Sequence, residues 1–464
     1  MTETDDQIAP ETEAEEEAYT LNPRTVAAAL HAVEVDDRQQ LIDLMEPLHA
    51  ADIADILEQI NPAERRRLIQ LYDREFDGDI LSELDEGIRE EIISILRPDV
   101  LAEAVRDLES DDIVDLVEDL DESQQEAILD QLEDADRVAV EQSLSYPEYS
   151  AGRLMQRETV FAPEHWTVGE VIDFLRNDED LPDQFYHVIL VDPKMRPVGN
   201  VTLGKLMSSR RSVAMKDITE EVFQVIPVTQ PESEVAYAFN QYHLISAPVV
   251  DQDDRLVGVI TIDDAMIVLD EEHEEDILRL AGVSDESSIS DRVMETARGR
   301  ATWLFVNLLT AILASLVIEL FSGAIDQMVA LAVLMPIVAS MGGNAGTQTM
   351  TVAVRAIATK DLTAQNALRV IRREISVGAI NGVLFGFIMA VLAGAWFGVP
   401  MLAVVIGVAM VLTQIAAALG GIAIPMVLDR AGIDPALASG PFVTTVTDVV
   451  GFFAFLGLAT AVLL

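Results

Sequence analysis

The residues of this chain able to do chemistry are oxygen donors in unusual settings. Asp448, in Thr444-Thr-Val-Thr-Asp-Val-Val-Gly451, lies midway along an apolar C-terminal stretch. An ionisable group at that depth costs several kcal/mol and marks an ion or substrate path; a structural hydrogen bond to a neighbouring helix is the competing use. An earlier stretch, Pro336-Ile-Val-Ala-Ser-Met-Gly-Gly-Asn-Ala-Gly-Thr-Gln348, sets Asn344 among three glycines and a proline. That composition weakens a helix and lets carbonyls face a cavity. Close packing through small residues is the alternative, and the Gly378, Gly382, Gly386 spacing is read that way. A third set is the acidic run Asp263, Asp264, Asp270, Glu271, Glu272, Glu274, Glu275 and Asp276, which taken alone is a solvated face. All six His precede the apolar half and Cys is absent, so that half offers only carboxylate, amide and carbonyl oxygens. Such hard donors suit Mg²⁺ or Ca²⁺ over Zn²⁺ or Cu²⁺, and one carboxylate with an amide suits an ion that keeps its waters.

Two dissimilar halves must position these groups. The 464 residues carry 80 acids, 30 bases and a net charge of −50, yet half are hydrophobic. From Asp291 onward acids and bases balance at nine each, so the whole excess lies before it. Such acidity excludes nucleic acid as a partner, and absent Cys excludes disulfides and thiolate metal sites. The later part holds five apolar segments, near 301–321, 328–354, 375–397, 401–427 and 442–464, each reaching the ~20 residues a bilayer crossing needs. Arg292, Arg298 and Arg300 precede the first; Arg355, Lys360, Arg369, Arg372 and Arg373 follow the second; Arg430 follows the fourth. This asymmetry predicts a cytoplasmic N-terminus, an outside C-terminus and a multi-pass protein of the cell membrane. No apolar leader precedes the acidic part, so it is expected in the cytoplasm.

The acidic part subdivides. Residues 1–20 read as a disordered tail. Over 21–140, apolar residues recur every twelve positions: Leu44, Ile56, Leu68, Ile80, Ile92, Ala104, Leu116 and Ile128, each followed by a second apolar residue and, three further on, a third. With breaks at Asn61-Pro62, Arg97-Pro98 and Asp121-Glu122, this predicts an all-α superhelix of short stacked helices. Within 141–262, His187–Asp192 with Pro197–Leu203, and Ala247–Asp251 with Leu256–Ile262, give the same strand–turn–strand 59 residues apart. Two such β-α-β-β-α modules resemble a pair of cystathionine-β-synthase (CBS) domains. In that family a Thr-x-x-Asp after the third strand often holds a nucleotide ribose; Thr261-Ile-Asp-Asp264 fits and Thr202-Leu-Gly-Lys205 does not, so the resemblance implies at most one ATP site, at Thr261 and Asp264.

The whole chain from about 25 resembles the MgtE family of magnesium channels and transporters. Tyr146-Pro-Glu-Tyr-Ser-Ala-Gly-Arg-Leu-Met155, Gly342-Gly-Asn-Ala-Gly346 and Thr447-Asp-Val-Val-Gly-Phe452 look like its signature stretches. The resemblance implies a multidomain architecture: the superhelix, the α/β CBS pair, an acidic plug helix with its connection over 263–290, and a five-helix membrane domain over 291–464. It implies a homodimer with the pore on its two-fold axis, and a transporter rather than an enzyme. Asp448 and Asn344 match the pore's Mg²⁺ positions. Asp79, Asp111 and Asp115 of the superhelix, with Asp264, Glu272, Glu275 and Asp276, match its regulatory Mg²⁺ positions. His243 departs from the pattern, standing where an Asp ligand is expected. The competing readings are a broader Co²⁺ or Mn²⁺ carrier, and a CBS-regulated membrane sensor without transport.

Overall fold

The computed structural model describes residues 21–106, 108–118, 120, 122–132, 134–178, 181–182, 184–283 and 293–464. The expected tail at 1–20, the serine-rich connection at 284–290 and Arg292 lie outside the described residues. The chain divides into two units, Met1–Asp270 and Glu271–Leu464.

The first unit opens with short helices: α1 (Pro23–Glu34), α2 (Arg38–Met45), α3 (Ala50–Gln59), α4 (Pro62–Tyr72), α5 (Asp79–Ser82), α6 (Glu86–Ile95), α7 (Pro98–Arg106), α8 (Ser110–Glu118), α9 (Glu122–Leu129) and α10 (Asp134–Leu144). The prolines at the repeat breaks begin helices, where a missing N–H costs nothing. Asn61 caps α4 by accepting from the Ala63 and Glu64 amides at 3.0 and 3.1 Å. The twelve-residue repeat is the core. Ile56, Leu68, Ile80, Ile92, Leu116 and Ile128 are all buried, as are their successors from Met45 to Leu129, because the spacing keeps them on one face of every helix. Buried Arg65 stitches three helices together: it donates to the Leu57 and Ile60 carbonyls at 2.8 and 3.2 Å and pairs with Glu91.

After α11 (Ala151–Leu154) come two like sheets, β1 (Phe161–Pro163), β2 (His187–Val191) and β3 (Pro197–Thr202), then β4 (Ile226–Pro227), β5 (Ser246–Val250) and β6 (Leu256–Thr261). Helices α12 (Val168–Asn177), α13 (Leu203–Ser208), α14 (Glu232–Tyr242) and α15 (Ile262–Leu280) complete the modules. Each sheet pairs its first two strands parallel and the last two antiparallel. The hairpins have the same chemistry: Asp192 Oδ1 accepts from the Lys194 and Arg196 amides, and Asp251 Oδ1 from those of Asp253 and Arg255. Such side-chain bonds set the turn and with it the register. Ile189, Val191 and Val259 form an apolar seam between the modules, and His187 Nδ1 is hydrogen-bonded to Ser246 Oγ at 2.7 Å.

The second unit holds five long apolar helices: α16 (Val293–Glu319), then, after the short α17 (Ser322–Gln327), α18 (Ala330–Ala358), α19 (Ala367–Phe397), α20 (Pro400–Arg430) and α21 (Pro435–Leu463). Their ends extend past the apolar segments, so Arg369, Arg372 and Arg373 lie in the first turns of α19 and Arg430 ends α20. One expectation is corrected. The segment around Asn344 is not a broken helix, since α18 runs unbroken through Pro336 and its glycines. The small residues serve packing instead: a Cβ at Gly342 would lie 2.7 Å from Thr413, and one at Gly346 2.8 Å from Val443. The glycines of α19 behave as read. A Cβ at Gly382 would lie 2.8 Å from the Val411 Cα, and one at Gly378 2.7 Å from the Gln414 carbonyl oxygen. Backbone cannot give way as a flexible side chain can, so Gly382→Val is expected to force α19 from α20 and cost about 1–3 kcal/mol. Thermal unfolding of the detergent-purified protein checks this; an unchanged transition refutes it.

Candidate functional site

Three groups of polar residues emerge, the first at α8 in the first unit. Asp111 and Asp112 stand in the first turn of α8, and Glu109 precedes it. Asp264, third residue of α15, reaches back so that the Thr261 hydroxyl donates to its Oδ2 at 2.6 Å, closing the helix start. Asp264 also lies beside Asp111, so two carboxyl groups face one another. Burial, followed by repulsion from Asp264, lifts Asp111 well above the usual carboxylate range. Burial and then Asp264 push Asp112 up to about 7, with Asp115 and Asp79 adding to the rise. Glu109 is raised to about 7 by burial and then Glu158, and Asp264 to about 6 chiefly by burial. The three superhelix residues singled out in the sequence thus share one electrostatic neighbourhood with Asp264. Exposed Asp115 pairs with Arg89 at 2.7 Å. Asp112, Glu109 and Glu158 were missed; Ser110 holds Glu158 at 2.8 Å. Two adjacent Asp at the start of a helix with an apolar face were the available signal. His243 is exposed and takes the left-handed conformation that ends α14.

The second group lies at the end of α15, in the second unit. Glu272, Glu275 and Asp276 occupy successive turns beside Arg279, which pairs with Glu275 at 2.8 Å and with Asp434 at 3.2 Å. Burial raises Glu272, helped by Asp276, and raises Asp276, helped by Asp434; Arg279 opposes both. Asp434 and Arg279 were missed, since only folding brings the start of α21 to them.

The third group is in the spans. Asp448 lies midway along α21 and is partly buried. The Thr444, Thr445 and Thr447 hydroxyls are bonded to carbonyls of their own helix at 3.0, 2.6 and 2.9 Å, leaving the Asp448 carboxylate as the charged group of this stretch. Asn344 lies on α18, which packs on α21 through Gly342, Gly346 and Thr447. With Thr347, Gln348 and Thr351 it forms an exposed polar stripe at helical spacing. Buried Gln414 of α20, 2% exposed, donates to the Met341 carbonyl at 3.1 Å. A lone amide in an apolar span was its overlooked signal.

All three groups offer only oxygen donors, which fits Mg²⁺. Among the described residues no three His, Asp or Glu side chains converge closely enough to hold a metal ion.

The chain matches the MgtE intracellular N domain over residues 48–149, the CBS domain over 151–212 and 215–271, and the MgtE divalent cation transporter domain over 335–458. The Thermus thermophilus magnesium transporter MgtE is 34% identical over 329 residues, covering 70% of this chain and 73% of that protein. The chain belongs to the MgtE family. The Enterococcus faecalis magnesium transporter MgtE is 32% identical, covering 69% of this chain and 71% of its own. Among solved structures, the cytosolic domain of the Mg²⁺ channel MgtE in complex with ATP is 27% identical at a TM-score of 0.49, covering 52% of this chain and 99% of that one. As a member of the MgtE family the chain is a membrane protein, and its five long apolar helices are the candidate spans.

The raised carboxyls carry a pH dependence. The folded state binds protons that the unfolded chain has released, so stability falls as pH rises from the ordinary carboxylate range near 4 through the folded values near 6 and 7. In chelator, hydrogen-exchange protection of α8 is expected to drop between pH 5 and pH 8. Asp112→Asn is expected to recover about 1–3 kcal/mol at pH 8, discounted for partial solvent access. Protection independent of pH in both proteins refutes the assignment.

Proposed function

We propose that this chain carries Mg²⁺ across the cell membrane into the cytoplasm as a homodimer, and that Mg²⁺ bound to its acidic regions closes the path. The observation that carries the transport reading is the mid-span carboxylate of Asp448 on a helix packed against α18, whose stripe of Asn344, Thr347, Gln348 and Thr351 is left exposed. A polar stripe facing lipid is costly, and a second copy facing it would turn the cost into a water-filled path. One carboxylate per chain with an amide suits an ion held through its waters. The relatives' designation as magnesium transporters supports Mg²⁺ as cargo, and the arginine asymmetry supports a cytoplasmic N-terminus and an outside C-terminus. Asp448→Ala is expected to reduce Mg²⁺ flux into liposomes at least 100-fold, equivalent to roughly 2.7 kcal/mol, with the protein still folded. Asn344→Ala should lose less, since an amide brings no charge. Wild-type flux in Asp448→Ala refutes the role; Co²⁺ or Mn²⁺ moving as fast as Mg²⁺ favours the broader carrier, and no flux at all the sensor.

Regulation follows from the groups at α8 and at the end of α15. With Mg²⁺ scarce, Asp111 and Asp264 face one another among neighbours that repel; Mg²⁺ relieves that repulsion and favours a tighter arrangement, shifting the equilibrium by its differential affinity alone. Asp79, Asp115, Glu272, Glu275 and Asp276 extend the same reading. ATP at Thr261 and Asp264 would have to displace the bond between these two residues, so nucleotide and metal are expected to compete there. Raising internal Mg²⁺ should close the wild-type path, and Asp111→Asn with Asp264→Asn should require several-fold more; inhibition identical in both overturns the sensor reading.

A further inference from the structure

The acidic end of α15 contains its own cation. Arg279 is the penultimate residue of that helix, and its Nη2 and Nη1 reach Glu275 at 2.8 Å and Asp434 at 3.2 Å. The other oxygen of Asp434 accepts the Ala436 amide at 2.7 Å, so the carboxylate that holds Arg279 also caps α21, the helix carrying Asp448. A helix N-terminus favours that negative charge. Leu280, the next residue, packs into the apolar cluster of Met350, Val354, Ala436 and Val443 that joins α18 to α21. The last turn is held closed beneath them: the Gly282 amide bonds to the Arg279 carbonyl at 2.9 Å and the Val283 amide to that of Leu278 at 3.0 Å, with Gly282 at φ +70°. A cap, an ion pair and an apolar plug therefore converge on one short segment, and none of them needs a bound metal.

We propose that Arg279 and Leu280 form a standing latch that fastens the end of α15 to the start of α21, so that Mg²⁺ turns the acidic helix about a fixed point and does not dock it from afar. This rests on the reading of α15 as the Mg²⁺-responsive plug. Arg279 is a positioning residue in it, since its charge is permanent while a metal comes and goes. Without the guanidinium, Glu275 and Asp434 would lose the cation that joins them and Glu272 and Asp276 the one that offsets their repulsion, and closure would lean more heavily on Mg²⁺.

Absence of Cys from the chain gives a clean test in the full-length protein. Ile277 and Ile433 are both exposed and flank the ion pair in sequence. Ile277→Cys with Ile433→Cys, joined by a flexible bismaleimide, is expected to cross-link at the same rate in chelator and in millimolar Mg²⁺. Adding Asp434→Asn, which keeps a capping oxygen but loses the charge, or Arg279→Gln should slow the reaction in chelator; Arg279→Lys should restore most of it. In flux assays Arg279→Gln should raise the internal Mg²⁺ needed for half-closure roughly fivefold, a common size for coupling between sites. Cross-linking that needs Mg²⁺ in the parent, or that ignores Asp434→Asn and Arg279→Gln, overturns the latch. A parent whose flux ignores internal Mg²⁺ while the cross-link behaves as stated overturns the plug reading and leaves the latch standing.

Discussion

A carboxylate taken out of water beside another carboxylate must hold a proton, face an arginine or bind a metal. Two such charges about 5 Å apart repel by roughly 3 kcal/mol at an effective dielectric near 20. The first unit meets this constraint with raised carboxyls at Asp111 and Asp264, which favour the protonated form, and with Arg89 on Asp115. At the end of α15 it is met by Arg279. Both are ways of holding together a surface whose charge would otherwise drive it apart. Asp264 sits in the first turn of the helix whose penultimate residue is Arg279, so both acidic groups draw residues from α15.

The membrane unit answers to a different constraint. With no water to satisfy polar groups, each must find a partner within protein or face a wet path. The threonines around Asp448 satisfy themselves on their own helix carbonyls. Gln414 spends its amide on Met341, and the glycines of α18 and α19 remove side chains so that α20 and α21 can approach. Thr351 likewise bonds the Thr347 carbonyl at 3.0 Å, while Asn344 and Gln348 stay exposed and Asp448 half-buried. Among the described residues Asp448 is the carboxylate midway along a span, so the electrostatics there are dominated by one charge per chain.

Much of this was legible in the residues, and the reasons for success and failure differ by element. The superhelix was readable because burial on a helix is periodic and Leu68, Ile80 and Ile92 repeat without interruption. The paired hairpins were readable because Asp192 and Asp251 begin the same turn. The continuity of α18 was misread: glycine and proline lower helix propensity, but neighbouring helices supply the packing that an isolated segment lacks. Glu158 and Asp434 carried no local signal, since what makes them matter is a partner far away in the chain.

The sequence by itself determined the division into an acidic and an apolar half, the number of long apolar helices, and the lone mid-span carboxylate, since these are properties of composition and short-range period. Only the tertiary structure decided which carboxyls crowd one another, that Arg279 reaches Asp434, and that glycines near Asn344 pack rather than break. Those outcomes depend on distances between residues about 70 to 155 positions apart and on local dielectric, both set by how helices and sheets close on one another and neither written in any single stretch of chain.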